Sequence, residues 1–133
     1  MAEAETVLFE TRDGVAYVTM NRPEKRNALN EEIVSGLKAA LRRANADESA
    51  RCIVLRGAGS DFCAGADLSA LQRIAAASVA ENLEDAESLA ELFLLIRELD
   101  LPVIAAVRGR ALAAGSGLAL GCDLGLRVRA ARP

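Results

Sequence analysis

The sequence predicts a single α/β domain. Two β-favouring runs meet at Asp13-Gly14 near the start, and short apolar runs with β-branched centres lie at residues 52–55 and 102–107. Stretches with helical apolar spacing lie between and after them, and strands alternating with such stretches read as a sheet with crossover helices. No linker or short-period repeat divides the 133 residues, of which 52% are hydrophobic and 26% charged. That is the balance of one domain long enough to bury a sizeable core.

The elements follow in order. Residues 6–11 and 15–20 flank Arg12-Asp13-Gly14, and Asp-Gly between two such runs is a hairpin signal. Arg22-Pro23 breaks the strand, and a polar loop runs to Asn30. Asn30 is a good helix cap, with Glu31 and Glu32 complementing the first turn. Ile33, Leu37 and Leu41, joined by Val34 and Ala44, form one apolar stripe on that helix, and Arg42 and Arg43 sit late in it, where the dipole favours cations.

Residues 52–55 read as a buried strand. A glycine-rich loop over residues 57–65 then leads into a helix beginning near Asp67. Residues 78–99 read as another helix, with Leu89, Leu92, Phe93, Ile96 and Leu99 on one side. Glu84, Asp85, Glu87 and Glu91 form an acidic face expected to be solvated. Residues 102–107 make a second buried strand. A short helix near residues 116–120 and a last strand over 123–128 complete the order β-β-α-β-α-α-β-α-β.

Composition excludes several kinds of chemistry. There is no histidine, so a Ser-His-Asp triad, a Cys-His pair and a His-ligated zinc site are out, and no metal is expected. Acid–base work would fall to Asp, Glu, Lys, Cys, Tyr or a backbone-held water. Sixteen Lys and Arg against nineteen Asp and Glu give a net charge of −3, which argues against nucleic acid or an anionic membrane as partner. Five Arg against two Asp over residues 100–133 are expected to form a solvated end. Trp is absent and aromatics are 3%, so stacking platforms for single strands are missing.

Cys52, Cys63 and Cys122 form no C-x-x-C pair. They are expected to be small packed residues in a reducing cytoplasm rather than a disulfide or zinc framework. The acidic start lacks the features of a signal peptide, and the uncharged run at residues 111–122 is too short to cross a bilayer. A cytoplasmic protein without a membrane span is the expectation.

The glycine loops are more specific. Gly57-Ala58-Gly59-Ser60-Asp61-Phe62 opens like a dinucleotide fingerprint, but Phe62 stands where the third glycine should be. No G-K-[ST] is present, and Gly115-Ser116-Gly117 has the wrong offset for a nucleophile elbow. Two small-residue loops remain: Phe62-Cys63-Ala64-Gly65-Ala66-Asp67 after the first buried strand, and Leu112-Ala113-Ala114-Gly115-Ser116-Gly117 after the second. Each leads into a helix start, where free backbone N–H groups await a partial negative charge. Neighbouring strands would aim one amide from each loop at a single oxygen, the arrangement of an oxyanion hole. Small residues that merely permit tight strand–helix packing give the same spacing.

Three stretches carry a resemblance. They are Asn21-Arg22-Pro23-Glu24-Lys25-Arg26-Asn27-Ala28-Leu29-Asn30, then the Phe62 to Leu68 loop, then Ile104-Ala105-Ala106-Val107-Arg108-Gly109 with Ala113-Ala114-Gly115 and Leu120-Gly121-Cys122-Asp123-Leu124. In that order they resemble the enoyl-CoA hydratase/isomerase (crotonase) family. The resemblance implies a crotonase-like spiral of ββα units and acyl-CoA thioester substrates. It implies no cofactor, and assembly as homotrimers or hexamers. The activity implied is addition of water to a 2-enoyl-CoA in fatty-acid or branched-chain acyl-CoA breakdown, with double-bond isomerisation as the alternative.

Carried over by position, the amides of Ala66 and Ala114 would form the oxyanion hole. Ala64, Asp67 and Leu68 would line the acyl-CoA site, and Lys25, Arg26 and Ala28 would lie along the CoA nucleotide and pantetheine.

The sequence also departs from the family. The first catalytic glutamate of the two-glutamate hydratases falls at Gly117, and the second would lie beyond Pro133. Asp61, Asp67 and Asp123 are the candidate substitutes, with structural or ligand-contact roles expected for Asp67 and Asp123. The chain is therefore read as an N-terminal half, one incomplete domain over residues 1–133 lacking the C-terminal helical part. An acyl-CoA-binding or assembly fragment without turnover is the further alternative.

Overall fold

A computed structural model describes residues 5–129. Strands β1 (Val7–Arg12) and β2 (Val15–Met20) pair antiparallel with Arg12 opposite Val15. Asp13 and Gly14 alone make the turn, at φ 52° and 80°. Positive φ at both central residues is the type I′ turn whose twist suits a hairpin.

Strands β3 (Cys52–Gly57), β4 (Val103–Arg108) and β5 (Leu124–Val128) join in parallel, giving the sheet order β1-β2-β3-β4-β5. Parallel neighbours need crossovers. These are α1 (Glu31–Ala46), the pair α2 (Leu68–Ala76) and α3 (Val79–Glu98), and α4 (Ala114–Gly121). The order matches the sequence reading, although α4 begins two residues earlier than expected.

The strand register lines up the core. Ala16, Ile53 and Val103 form one row, and Val18, Leu55 and Ala105 the next, and all six are fully buried. Ile33, Leu37 and Leu41 of α1 and Leu92 of α3 complete this face. Truncating any one of these leucines to Ala would cost about 2–5 kcal/mol.

One expectation needs correcting. The runs at 52–55 and 102–107 read as buried strands, yet Val54 and Ile104 are only half-buried. Among the described residues the core forms on one side of the sheet, so burial alternates along β3 and β4.

Helix caps fix where the crossovers begin. The Asn30 side chain accepts from Ile33 N at 2.9 Å, and Ser78 and Glu81 form a reciprocal capping box on α3. The acidic face of α3 is not simply solvated. Glu91 pairs with the nearly buried Lys38 at 3.1 Å, and Lys38 also donates to Ser88 Oγ at 2.8 Å, tying α3 to α1.

Candidate active site

Three loop segments at one end of the sheet build the site. In the first, a short 3-10 turn at Pro23–Lys25 leads to Arg26 and Asn27, at φ 53° and 54°. Asn tolerates this left-handed conformation better than most residues, and here its side chain holds the turn. Fully buried Asn27 accepts from Arg22 N at 2.8 Å and donates to the Ala58 and Asp61 carbonyls at 2.9 Å each. Lys25 and Arg26 are left exposed at the surface.

The second segment, residues 63–67, lies between the other two. On one edge Ala64 N donates to Arg26 O at 3.0 Å, Leu29 N to Gly65 O at 2.7 Å and Asp67 N to Leu29 O at 3.0 Å. On the other, Cys63 N donates to Arg110 O at 3.1 Å and Leu112 N to Cys63 O at 3.0 Å. Asp61 anchors the third segment by accepting from Arg110 N and Nε at 3.0 and 3.2 Å. The Arg110 backbone N–H first, and its guanidinium second, hold the Asp61 carboxyl below the usual range.

The loops touch at Gly65 (φ 96°), where a Cβ would stand 3.2 Å from the Ala113 methyl and 3.8 Å from Ala114 N. A Cβ on Gly115 would drive into the Cys63 carbonyl. Glycine at these two places is what lets the segments close on each other.

Ala113 carries the most informative backbone. Its φ of 49° and ψ of −119°, with Gly115 N donating to Leu112 O at 2.8 Å, define a type II′ turn with alanine where glycine is favoured. The turn delivers Ala114 as the first residue of α4, with its N–H pointing away from the helix's own carbonyls. Among the described residues the amides of Ala66 and Ala114 have no hydrogen-bond acceptor.

Both alanines line one cavity of about 420 Å³. Leu29, Val34, Ala70 and Leu89 give it an apolar wall, and Glu31, Arg73, Asn82 and Asp85 also border it. Acceptor-free amides on two residues that line a mainly apolar space are groups of the kind that can stabilise an oxygen gaining negative charge.

The remaining predicted residues divide clearly. Ala28 is buried, and its carbonyl accepts from Arg22 Nη1 at 3.1 Å. Leu68 opens α2 as a residue 70% exposed. The carboxylate of Asp67 is engaged inside the fold, accepting from Arg22 Nη1 and from Ser69 N at 3.0 Å each. Asp123 accepts from Val103 N at 2.8 Å, so Asp61, Asp67 and Asp123 all serve loop geometry. Gly117 faces α3, where a Cβ would lie 3.3 Å from Phe93 Cζ.

All three cysteines are free. Burial raises the Cys63 thiol, and burial followed by Asp123 pushes Cys122 up to about 12.

The sequence reading missed Asp85 as a wall of the cavity. Its place three residues after Asn82 and four before Leu89 puts all three on one helical face, a signal obscured by the neighbouring acids. Ala113 was missed because alanine does not advertise positive φ.

Comparisons with known proteins bear on the fold and the family. The family model described as enoyl-CoA hydratase/isomerase matches residues 10–132. A Mycobacterium tuberculosis protein named "Probable enoyl-CoA hydratase echA14" is 42% identical over 125 residues, 93% of this chain and 47% of that protein. A Rhodobacter capsulatus protein named "Probable enoyl-CoA hydratase" is 41% identical over 128 residues, 95% of this chain and 47% of that one.

The crystal structure of an enoyl-CoA hydratase/isomerase from Xanthobacter autotrophicus Py2 is 38% identical and superposes with a TM-score of 0.85, covering 90% of this chain and 45% of that one. The fold is the crotonase fold, and the chain spans about half the length of the curated relatives it matches. The chain belongs to the enoyl-CoA hydratase/isomerase family.

Proposed function

We propose that the chain binds a 2-enoyl-CoA thioester, with the carbonyl oxygen between the amides of Ala66 and Ala114, and serves addition of water to the double bond. The observation that carries this reading is the pair of acceptor-free amides on one cavity wall. Drawing electron density onto the thioester oxygen makes the β-carbon electrophilic and stabilises the enolate that follows. Each such donor is typically worth about 10²–10³ in rate.

The acyl group lies in the apolar part of the cavity, beside Leu29, Val34 and Leu89. The exposed cations Lys25 and Arg26, on the loop bonded to Ala64, suit the phosphates of CoA, and Ala28, Ala64 and Leu68 shape the passage between. No resident cofactor enters this chemistry, because the thioester itself is activated. Glu31 and Asp85 are the carboxylates on the cavity wall and are available to handle protons. Assembly as a homotrimer or hexamer belongs to the same reading.

Gly117 favours a second reading, acyl-CoA binding without turnover. It carries no carboxylate, and Phe93 occupies the space beside it. Incubating the chain with crotonyl-CoA in oxygen-18 water separates the possibilities. Label at the β-carbon supports hydration, and double-bond migration without label supports isomerisation. Tight binding with neither supports the second reading. Absence of any acyl-CoA binding refutes the proposal.

A further inference from the structure

The Ala66 amide must point into the cavity for the proposed function to work, and the inference that follows rests on that reading. Ala66 is bridged in parallel to Leu29. Its two flanking peptide groups are the ones that bond, through Gly65 O to Leu29 N and Asp67 N to Leu29 O. Because a bridged strand alternates its bonds, the Ala66 N–H turns to the opposite side. Its direction is therefore only as firm as the alignment of residues 65–67 with residues 28–29.

Beside these backbone bonds, a single side-chain nitrogen spans the same alignment. Arg22 Nη1 donates to the Ala28 carbonyl at 3.1 Å and to Asp67 Oδ2 at 3.0 Å, so it clamps the residue beside Leu29 to the residue beside Ala66. The other carboxylate oxygen, Oδ1, accepts from Ser69 N at 3.0 Å, which ties the clamp to the first turn of α2. Both side chains are largely withdrawn from water, at 15% and 10% exposure, so the pair is little screened. Arg22 itself is held at its backbone by the buried Asn27.

We infer that Arg22 and Asp67 are positioning residues for the carbonyl-polarising site: their ion pair aims the Ala66 amide and touches no substrate. Asp67 thus acts through the backbone next to it rather than as a side-chain ligand of the acyl-CoA.

The test reads polarisation itself, which a merely structural role would not move at equal occupancy. The chain is saturated with butyryl-CoA, isotope-labelled at the thioester carbonyl, and the bound carbonyl stretch is measured by difference infrared spectroscopy. D67N is the cleanest variant, because Asn caps a helix as well as Asp and can keep a bond to Ser69 while the charge is lost. R22Q approaches from the other partner, and R22K restores the charge.

In the unaltered chain the bound carbonyl moves to lower wavenumber than the free ligand. D67N and R22Q each lose at least about half of that shift, one donor of two, and R22K recovers part of it. The R22Q/D67N double variant is no worse than the poorer single, since both act through one contact. A full shift in ligand-saturated D67N or R22Q overturns the inference, as does an additive loss in the double variant. No shift in the unaltered chain refutes instead the proposed function on which it rests. If D67N does not fold, R22Q and R22K give the same decision.

Discussion

Ala113→Gly isolates the turn that presents the Ala114 amide. At φ 49° and ψ −119°, alanine occupies a conformation that glycine reaches without steric cost. Such backbone strain is worth about 1–3 kcal/mol, and glycine returns about 0.4–1 kcal/mol through the freer unfolded chain. The balance is a net stabilisation of about 1 kcal/mol, since the half-exposed surroundings of the turn lose little packing. For a chain of 133 residues that corresponds to a rise in Tm of about 4 °C.

Thermal melts and urea titrations of A113G, the unaltered chain and A113V measure it. Valine adds a branched Cβ at positive φ, so A113V falls below the unaltered chain. Acyl-CoA affinity in A113G stays unchanged, because the turn and the Ala114 N–H remain. A lower Tm in A113G, or a higher one in A113V, would refute the strained type II′ turn.

Three further perturbations have defined outcomes. Ala66→Pro deletes the acceptor-free amide proposed to meet the thioester and should lower crotonyl-CoA turnover at least about 10²-fold, while Tm changes little because that N–H holds no structural bond; unaltered kinetics in the folded variant would remove Ala66 from the site. The Asp61 and Asp67 carboxyls are held low by the backbone N–H groups of Arg110 and Ser69 first and by the arginine guanidiniums after them. Carboxyls lowered in the folded state stabilise fully above the unfolded value of about 4 and lose that contribution as pH falls through their lower folded values. Urea midpoints taken from neutral to acid pH should therefore drop less steeply for D67N, and an equal slope would contradict the linkage. Gly117→Glu crowds Phe93 and should cost about 1–3 kcal/mol; F93A in the same chain should relieve part of it, and strict additivity of the two in melts would show that they do not meet.

The parts of the fold written in local chemistry were legible before any coordinates. Asp13-Gly14 states its turn because both positions need positive φ. Asn30 states its cap because its side chain completes the first turn of α1. The order of strands and helices followed from the same signals. Burial of one face of β3 and β4, and not the other, was not legible, since an apolar run reads alike in both cases and only the register decides.

At the site, the two small-residue loops were visible, and on spacing alone tight strand–helix packing was the favoured reading of them. What the sequence could not give is which amides lack acceptors. That depends on ladders joining Arg26–Leu29, Cys63–Asp67 and Arg110–Leu112, residues far apart in the chain. Asp67 shows the same limit: the family resemblance implied a place for it along the acyl-CoA site, and only the fold shows that its carboxylate is held by Arg22 and Ser69.

The most direct measurement is a crystal structure of the chain with a bound, unreactive acyl-CoA thioester. The account predicts the thioester oxygen about 2.7–3.1 Å from both the Ala66 and Ala114 nitrogens, with the acyl group in the cavity beside Leu89. A thioester bound with its oxygen directed away from these amides, or held by side chains elsewhere, would contradict it.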